Sequence, residues 1–204
     1  MTTWLHEQRL QAVYNAIMES GARRIIDLGC GEGDLFVRLA EDPQIEFILG
    51  IDQCDRSLET LRHRLDSLQG QTTAQVETRL GSITEPNPTI GQFDCAILIE
   101  TVEHVAPEKL SALERTLFTD IRPGVVVMTT PNAEFNPLLG VPAHRFRHPG
   151  HRFEWNRAKF QHWAIGVASR AGYNVAFNDI GGFHPQLGGA SQMARFQPPS
   201  PDRK

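Results

Sequence analysis

The spacing of apolar positions alternates along the chain between a helical period and a strand-like period. Helical spacing is found in residues 3–20, 34–41, 56–68, 107–119 and 156–171. Short apolar or β-branched runs, typical of strands, occupy residues 23–28, 46–52, 75–80, 93–99, 125–129, 173–180 and 191–197. Asp34 stands where it would cap the second helix. Strands that alternate with helices predict an α/β fold, with a mostly parallel seven-stranded sheet and helices on both faces.

No repeat or low-complexity linker divides the chain, so residues 1–197 are predicted to form one domain. Residues 131–155 are rich in proline, glycine, histidine and arginine and show no clear period. We expect them to be an inserted segment that serves the substrate or a metal. The proline-rich residues 198–204 are expected to be a disordered tail.

Composition excludes some classes of protein. With 204 residues, 40% of them hydrophobic, and a net charge of −4, the chain is an ordinary globular protein and not a general polyanion binder, unless it carries a local basic patch. Cys30, Cys54 and Cys95 form no CxxC pair, which favours buried, reduced thiols in a cytoplasmic protein. No apolar run approaches the length of a membrane span, so no membrane association is expected.

A glycine-rich loop, Asp27-Leu-Gly29-Cys-Gly31-Glu-Gly33, follows the first strand, and the second strand ends in Asp52. Glycines let a backbone approach a ligand closely, and an acid in the place of Asp52 accepts hydrogen bonds from a ribose diol. The negative charge of Asp27 and Glu32 disfavours a pyrophosphate but suits a ligand with an ammonium and a sulfonium group. S-adenosylmethionine meets both conditions.

This pattern resembles motif I of the class I methyltransferases. The resemblance implies a Rossmann-like fold and S-adenosylmethionine as cofactor, bound by Asp27, Gly29, Gly31 and Asp52. It also implies that Ser82 and Ile83, which follow the third strand, flank the adenine.

Three side chains able to bind a metal emerge together after the strand at 93–99. Glu100, Glu103 and His104 lie three and four residues apart, so a helical turn there would place them on one face. Two carboxylates and an imidazole suit a divalent cation such as Mg²⁺ or Mn²⁺. Alone, the cluster leaves two interpretations open, because many small-molecule methyltransferases carry a similar Glu-x-x-Glu-His that binds substrate or caps the next segment.

Two further motifs accompany this cluster, one after the fifth strand and one at the start of the last helix. They are Thr130-Pro-Asn-Ala-Glu-Phe-Asn136 and His151-Arg-Phe-Glu-Trp155. Together with Glu100-x-x-Glu103-His104 they resemble the Hen-type small-RNA 3′-terminal ribose 2′-O-methyltransferases. That resemblance implies that Glu100, Glu103, His104 and His151 are the catalytic ligands of a Mn²⁺ or Mg²⁺ ion.

A divalent cation would explain both the reactivity and the specificity of such an enzyme. It lowers the pKa of a ribose 2′-hydroxyl, and it can chelate two vicinal oxygens, which only the last nucleotide of an RNA offers. Residues 144–159 carry five basic side chains and one acidic one, which suits capture of a short RNA end. Arg145, Arg147 and Arg152 are the expected RNA ligands, and Phe146 or Phe153 could stack on a terminal base.

The function expected on these grounds is metal-dependent methyl transfer from S-adenosylmethionine to the 2′-hydroxyl of the 3′-terminal ribose of RNA. A small-molecule O- or N-methyltransferase that uses the Glu-Glu-His cluster to bind substrate is the nearest alternative, and a non-catalytic RNA-binding subunit is another. Because bacterial members of the family often work with an RNA kinase-phosphatase-ligase repair enzyme, such an enzyme is an expected partner beside the RNA 3′ end. His144 and His148 receive no defined role from the sequence.

Overall fold

A computed structural model of the chain describes residues 4–68, 70–85 and 92–199. The helices are α1 Trp4–Ser20, α2 Asp34–Ala40, α3 Asp55–Ser67, α4 Leu110–Arg115 and α5 Arg157–Ala171. The strands are β1 Arg24–Leu28, β2 Phe47–Asp52, β3 Gln75–Leu80, β4 Cys95–Ile99, β5 Val125–Pro131, β6 Asn174–Ile180 and β7 Ser191–Gln197.

The seven strands form one sheet in the order β3-β2-β1-β4-β5-β7-β6. The first five pair in parallel, whereas β7 runs antiparallel to both β5 and β6. The predicted α/β architecture and the mostly parallel seven-stranded sheet are therefore confirmed. Strand order reverses between β1 and β4, and in such sheets ligands bind beyond the carboxyl ends of the strands at this point.

Alternate residues along each strand face two separate hydrophobic cores. On one face, Ile25 and Ile48 pack with the apolar stripes of α1, α2 and α3. On the other face, Ile26 and Leu49 pack with α4 and α5, where Phe160 is fully buried. Because successive side chains of a strand point to opposite faces, a continuous apolar strand such as β1 requires this cover on both sides.

Two local predictions need correction. Asp34 does not cap α2, because the cap position is Gly33 in a left-handed conformation, and the Asp34 carboxylate instead pairs with Arg64 at 2.8 Å. The helix predicted for 107–119 is composite, with a 3₁₀ turn at Pro107–Lys109, the α4 helix, and a π turn at Thr116–Ile121.

The segment 131–155 contains one regular element, a 3₁₀ helix at Ala133–Leu139 whose cap is the Asn132 side chain. The predicted tail at 198–204 lies outside the described residues from 200 onward. Among the helices that the structure describes, none has the length and apolar character of a membrane span.

Candidate functional site

One cleft of about 650 Å³ opens at the carboxyl ends of the central parallel strands. Five of the six residues predicted to bind the cofactor line one part of it: Gly29, Gly31, Asp52, Ser82 and Ile83. Glu100 and His104 of the predicted metal cluster line the same cleft, together with Arg152. The fold thus brings the predicted cofactor residues and part of the metal cluster to one cavity.

The glycine loop and the end of β2 are tied together by the Asp52 carboxylate. Its Oδ2 accepts a hydrogen bond from the Gly31 N–H at 2.8 Å, and its Oδ1 accepts one from the Cys54 N–H at 2.8 Å. Gly29 adopts a φ of 83°, and a Cβ added there would lie 2.5 Å from Cγ2 of Thr101. The loop therefore needs glycine at this position both for its backbone conformation and for its contact with the segment after β4.

Asp27 is buried, and unlike the other predicted cofactor residues it is not among the side chains that line the cleft. Its burial, and secondarily the charge of Asp52, raise its pKa to about 7. A positive ligand group near this carboxylate would favour its ionised form.

The prediction of three buried thiols is wrong for Cys54. Cys30 and Cys95 are buried, but Cys54 is exposed at the N-terminus of α3 and lines the cleft. A hydrogen bond from Ser57 lowers the pKa of its thiol, whereas burial raises the pKa of Cys95 to about 12. The strand-end position suggested burial, but Cys54 lies beyond β2 in the loop that opens onto the cleft.

The backbone after β4 does not form the helical face that the sequence spacing suggested. Glu100 has a φ of 49°, a left-handed conformation that is strained for a residue with a side chain. The Glu100 N–H donates to the Thr129 carbonyl at 3.1 Å, which joins the backbone of Glu100 to β5. A single 3₁₀ turn, Val102–His104, follows and directs Glu103 into the protein while His104 stays exposed.

The two carboxylates of the cluster lie in a buried setting with incomplete hydrogen bonding. Glu103 is fully buried, and its Oε2 accepts from the Thr130 hydroxyl at 3.0 Å. Burial, and then the neighbouring Glu100 carboxylate, raise the pKa of Glu103 well above its usual value. Among the described residues, Oε1 of Glu103 and Oε1 of Glu100 are buried without a hydrogen-bond partner.

His151 reaches this cluster from the later segment, as predicted by the family resemblance. Its Nε2 lies 3.9 Å from Oε1 of Glu103, and its ring centroid lies 4.8 Å from that of His104. Its Nδ1 lies 2.6 Å from Oε1 of Glu154. The Arg152 N–H donates to the Glu103 carbonyl at 2.7 Å, so the two parts of the cluster are also joined through the backbone.

A third imidazole, that of His148, belongs to the same cluster. Metal-binding atoms of His104, His148 and His151 all lie within 4.8 Å of one another. Partial desolvation of the His104 ring, and then the two neighbouring imidazoles, lower its pKa although the residue as a whole is exposed. No role could be assigned to His148 from sequence, because a histidine in an aperiodic basic loop carries no positional signal.

The donor set fits a divalent cation. Two buried carboxylate oxygens without partners are unfavourable unless a positive ligand satisfies them. Oε1 of Glu103 and Nε2 of His151 lie 3.9 Å apart, which is too long for a hydrogen bond. The distance is shorter than the sum of two metal–ligand bonds of about 2.1 Å each, so one ion could contact both atoms. Mixed oxygen and imidazole ligands suit Mn²⁺ and similar ions.

Arg9, on α1, is a site residue that the sequence did not identify. Its guanidinium lies 3.2 Å from Oε2 of Glu100 and donates to the Ser191 hydroxyl at 3.3 Å. The motif Leu5-His-Glu-Gln-Arg9 contains it, but its partner lies 91 positions away and no local pattern connects the two.

The three arginines predicted to bind RNA separate into two kinds. Arg145 and Arg152 are exposed, and Arg152 lines the cleft. Arg147 turns inward, where Nε donates to Asn136 at 2.5 Å, Nη1 donates to the Ala190 carbonyl at 2.6 Å, and Nη2 donates to the Asn132 carbonyl. All three nitrogens donate within the protein, so Arg147 braces this segment, and its predicted role in RNA binding stays a prediction.

The aromatic prediction also changes. Phe153 is half-buried, with its ring centroid 4.3 Å from that of Trp155, whereas Phe146 is 47% exposed. Phe146 is therefore the better placed of the two to meet a base. Lys109, which the sequence did not single out, is exposed and lines the cleft together with Glu100 and His104.

Comparison with known proteins agrees with this geometry. Residues 26–126 match the family model described as a methyltransferase domain. The chain is 35% identical, over 184 residues, to the small RNA 2′-O-methyltransferase of Gallus gallus, covering 87% of this chain and 48% of that protein. It is 28% identical to the small RNA 2′-O-methyltransferase of Arabidopsis thaliana, with 95% of this chain and 22% of that protein covered. The chain thus spans about half, or less, of the length of these relatives.

Solved structures extend the likeness to three dimensions. The methyltransferase domain of bacterial CtHen1 superimposes with a TM-score of 0.85 at 36% identity, covering 96% of this chain and all of that domain. A magnesium protoporphyrin IX methyltransferase from Synechocystis, at 15% identity and a TM-score of 0.67, shares the fold alone. On the similarity to CtHen1, which covers nearly the whole of both chains, this protein belongs to the Hen1 family of methyltransferase domains.

Proposed function

We propose that the protein transfers a methyl group from S-adenosylmethionine to the 2′-hydroxyl of the 3′-terminal ribose of RNA, with the help of a divalent cation. The observation that carries the proposal is the buried pair of unpartnered carboxylate oxygens on Glu100 and Glu103, next to His151 and at one cleft with the glycine loop. The names of the relatives, which are small RNA 2′-O-methyltransferases, support RNA as the substrate.

The glycine loop and Asp52 bind the methyl donor in this proposal. Two Asp52 oxygens already accept backbone hydrogen bonds, so the carboxylate is held in place before its remaining lone pairs meet the ribose hydroxyls. Ser82 and Ile83 flank the adenine. The buried Asp27 contributes negative charge at the side of the cleft where the ammonium and sulfonium groups would lie.

Glu100, Glu103, His104 and His151 hold the cation in this proposal. A divalent cation held by these four residues would lower the pKa of the terminal 2′-hydroxyl and would favour a substrate with two vicinal hydroxyls. Arg9 positions the Glu100 carboxylate, and Thr130 positions that of Glu103. In the reaction the 2′-oxygen forms a bond to the methyl carbon, the sulfur–carbon bond breaks, and its electron pair stays on sulfur. The hydroxyl proton passes to water or to a carboxylate.

The RNA end approaches over the basic side of the cleft. Arg152 and Lys109 are exposed at the cleft and would contact phosphates. Arg145 and Phe146 are exposed in the segment before His148 and would contact a further phosphate and a base. A cytoplasmic location and a partnership with an RNA kinase-phosphatase-ligase repair enzyme stay predictions.

Terminal specificity is tested with labelled S-adenosylmethionine, Mn²⁺ and four versions of one short RNA. These carry a free 3′ end, a 2′-deoxy terminus, a 3′-deoxy terminus or a 3′-phosphate. Label should enter only the RNA with both terminal hydroxyls, and EDTA should abolish the transfer. Methylation of the 3′-phosphorylated RNA, or full activity in EDTA, would refute terminal recognition through a cation.

The cation ligands are tested by replacing His151 with alanine, using His144→Ala as a control in the same loop. His151→Ala should reduce turnover at least 100-fold and weaken Mn²⁺ binding, because one of four ligands is lost. His144→Ala should keep both within about threefold of the wild type. Equal effects of the two variants would rule out a ligand role for His151.

A further inference from the structure

Glu154 is a buried carboxylate that accepts hydrogen bonds from three separate groups. Its Oε1 lies 2.6 Å from Nδ1 of His151 and accepts the Arg147 N–H at 2.7 Å, while its Oε2 accepts from the Asn136 side chain at 2.6 Å. The side chain is 1% exposed. From sequence it was only the single acid in a basic segment, and it belongs to neither the predicted cofactor set nor the predicted metal set.

The contact with His151 determines which nitrogen of that ring carries the proton. An ionised carboxylate can only accept, so the nitrogen 2.6 Å away must donate, and neutral His151 then bears its proton on Nδ1. Its Nε2 is left with a free lone pair, and this is the atom that lies 3.9 Å from the unpartnered Oε1 of Glu103. A cation ligand needs this unprotonated nitrogen.

The neighbouring His148 has the opposite tautomer to His151. Its Nδ1 accepts the N–H of Gly150 at 3.0 Å, so neutral His148 bears its proton on Nε2, the opposite arrangement. Two imidazoles whose centroids lie 5.5 Å apart thus have different donors and acceptors, and the difference is set by what each Nδ1 contacts. Among the described residues, the Glu154 carboxylate is the group that sets it for His151.

The surroundings of Glu154 keep its carboxylate from moving with the ring. The flanking Phe153 and Trp155 pack on each other with centroids 4.3 Å apart, and Trp155 packs on Trp163 at 5.1 Å. The Trp155 carbonyl accepts from the Ala133 N–H at 3.1 Å. Asn136, which holds Oε2 of Glu154, also accepts from Arg147, so the carboxylate is braced against the 3₁₀ helix at 133–139.

We propose that Glu154 is a positioning residue, which holds His151 in the tautomer and orientation that present Nε2 to the divalent cation. The inference rests on the proposed function, because it assigns Glu154 to the same cation site. Glu154 itself does not contact the cation or the substrate. Such outer partners of metal-binding histidines commonly change metal affinity 10–100-fold when they are replaced.

The test compares Glu154→Ala and Glu154→Gln with the wild type, and uses Glu134→Gln as the matched control. Glu134 lies in the same segment and pairs with Arg157 at 2.5 Å, away from the imidazoles. Mn²⁺ binding is measured by electron paramagnetic resonance, and the His151 tautomer by ¹⁵N NMR of the metal-free protein. The glutamine keeps one acceptor oxygen and is the conservative variant.

We expect wild-type His151 to carry its proton on Nδ1, and Glu154→Ala to populate the Nε2–H form. The Mn²⁺ dissociation constant should rise about 100-fold in Glu154→Ala, about tenfold in Glu154→Gln, and less than threefold in Glu134→Gln. An unchanged tautomer in Glu154→Ala, or Mn²⁺ affinity within threefold of the wild type in both Glu154 variants, would overturn the inference. If Glu154→Ala does not fold, the Mn²⁺ affinity of Glu154→Gln alone tests the inference.

The two proposals fail in different ways. Wild-type protein that binds no Mn²⁺ and methylates RNA ends in EDTA would remove the cation from the proposed function, and the cation role of Glu154 with it. Wild-type protein that binds Mn²⁺ and needs it for activity, with Glu154 variants of equal affinity, would leave the proposed function intact and refute only the role of Glu154.

Discussion

Arg9 on the first helix lies 3.2 Å from the carboxylate of Glu100 at the end of β4, and both side chains are largely buried. Arg9→Ala would leave a buried carboxylate without its cation next to Glu103. We expect the free energy of unfolding to fall by about 3 kcal/mol, the range found when one partner of a buried ion pair is removed. Denaturant unfolding measured without added metal checks this value.

Arg23→Ala is the control for that measurement. Arg23 pairs with Glu46 at 2.5 Å, but both side chains are more than half exposed, and such pairs contribute less than about 1 kcal/mol. The double variant Arg9→Ala, Glu100→Ala should have a higher free energy of unfolding than Arg9→Ala alone, because the unpaired carboxylate is then absent. If Arg9→Ala is as mild as Arg23→Ala, the pair does not stabilise the site.

The raised pKa of Asp27 predicts a pH-dependent stability. Because its pKa is about 7 in the folded protein against an ordinary 3.8, the folded state holds the proton more tightly. This contribution favours folding fully below about pH 4 and is lost as the pH rises to about 7. Asp27→Asn should therefore gain stability relative to the wild type over that interval, by up to about 4 kcal/mol at pH 8 without ligands.

The measurement for Asp27 is the free energy of unfolding between pH 4 and pH 8. Asp66→Asn, at an exposed position on α3, serves as the control for the same substitution outside the core. A stability difference between Asp27→Asn and the wild type that does not change with pH would contradict the predicted protonation.

Gly31→Ala and Gly21→Ala separate backbone strain from ligand binding. Both glycines have positive φ, 54° and 71°, and neither has an atom within 4 Å of an added Cβ. Each substitution should cost a similar 1–2 kcal/mol, roughly, of stability. Only Gly31 lines the cleft, so only Gly31→Ala should weaken S-adenosylmethionine binding, at least tenfold by calorimetry. Equal affinity in the two variants would place the cofactor elsewhere.

Replacement by alanine should affect protein stability at Arg147 and RNA binding at Arg152. Arg147→Ala removes hydrogen bonds to Asn132, Asn136 and Ala190, so we expect a stability loss of about 3 kcal/mol. Arg152→Ala should change stability by less than about 0.5 kcal/mol, weaken RNA binding, and reduce the slope of log affinity against log salt by about one.

Arg115→Ala, at a position 73% exposed on α4, is the matched control for the RNA measurement. It should leave both the affinity for RNA and the salt slope near those of the wild type. An Arg152→Ala variant that is destabilised like Arg147→Ala, with an unchanged salt slope, would argue against a phosphate contact.

The fold was largely predictable because its determinants are local. Apolar runs such as Ile25–Leu28 and Ile48–Ile51 identify strands, and the glycine loop with Asp52 indicates where a cofactor would bind. The places where local reasoning failed are those set by distant contacts. Asp34 was expected to cap α2, but Arg64 and His6 bind its carboxylate instead. Cys54 was expected to be buried, but the cleft opens beside it.

In the candidate site, too, local sequence patterns were predictable and contacts between distant residues were not. Glu100, Glu103 and His104 are adjacent in sequence, but their relation to His151 came from family resemblance and not from any period in the chain. Glu154 lies three residues after His151, yet its importance depends on its burial and on its contacts with His151, Arg147 and Asn136, which the sequence alone does not reveal. The bracing role of Arg147 was not predictable, because its acceptors are carbonyl groups of residues that lie outside the basic segment in the sequence.

The antiparallel strand β7 lies between β5 and β6, and the residues that enter it hold the site together. The carbonyls of Gly189 and Ala190 accept from Asn132, and Ala190 also accepts from Arg147. During synthesis, the glycine loop, β2 and the Glu-Glu-His turn all leave the ribosome well before these acceptors exist. The loop that carries His151 therefore acquires these hydrogen-bond acceptors only when residues 189 and 190 have been added to the chain.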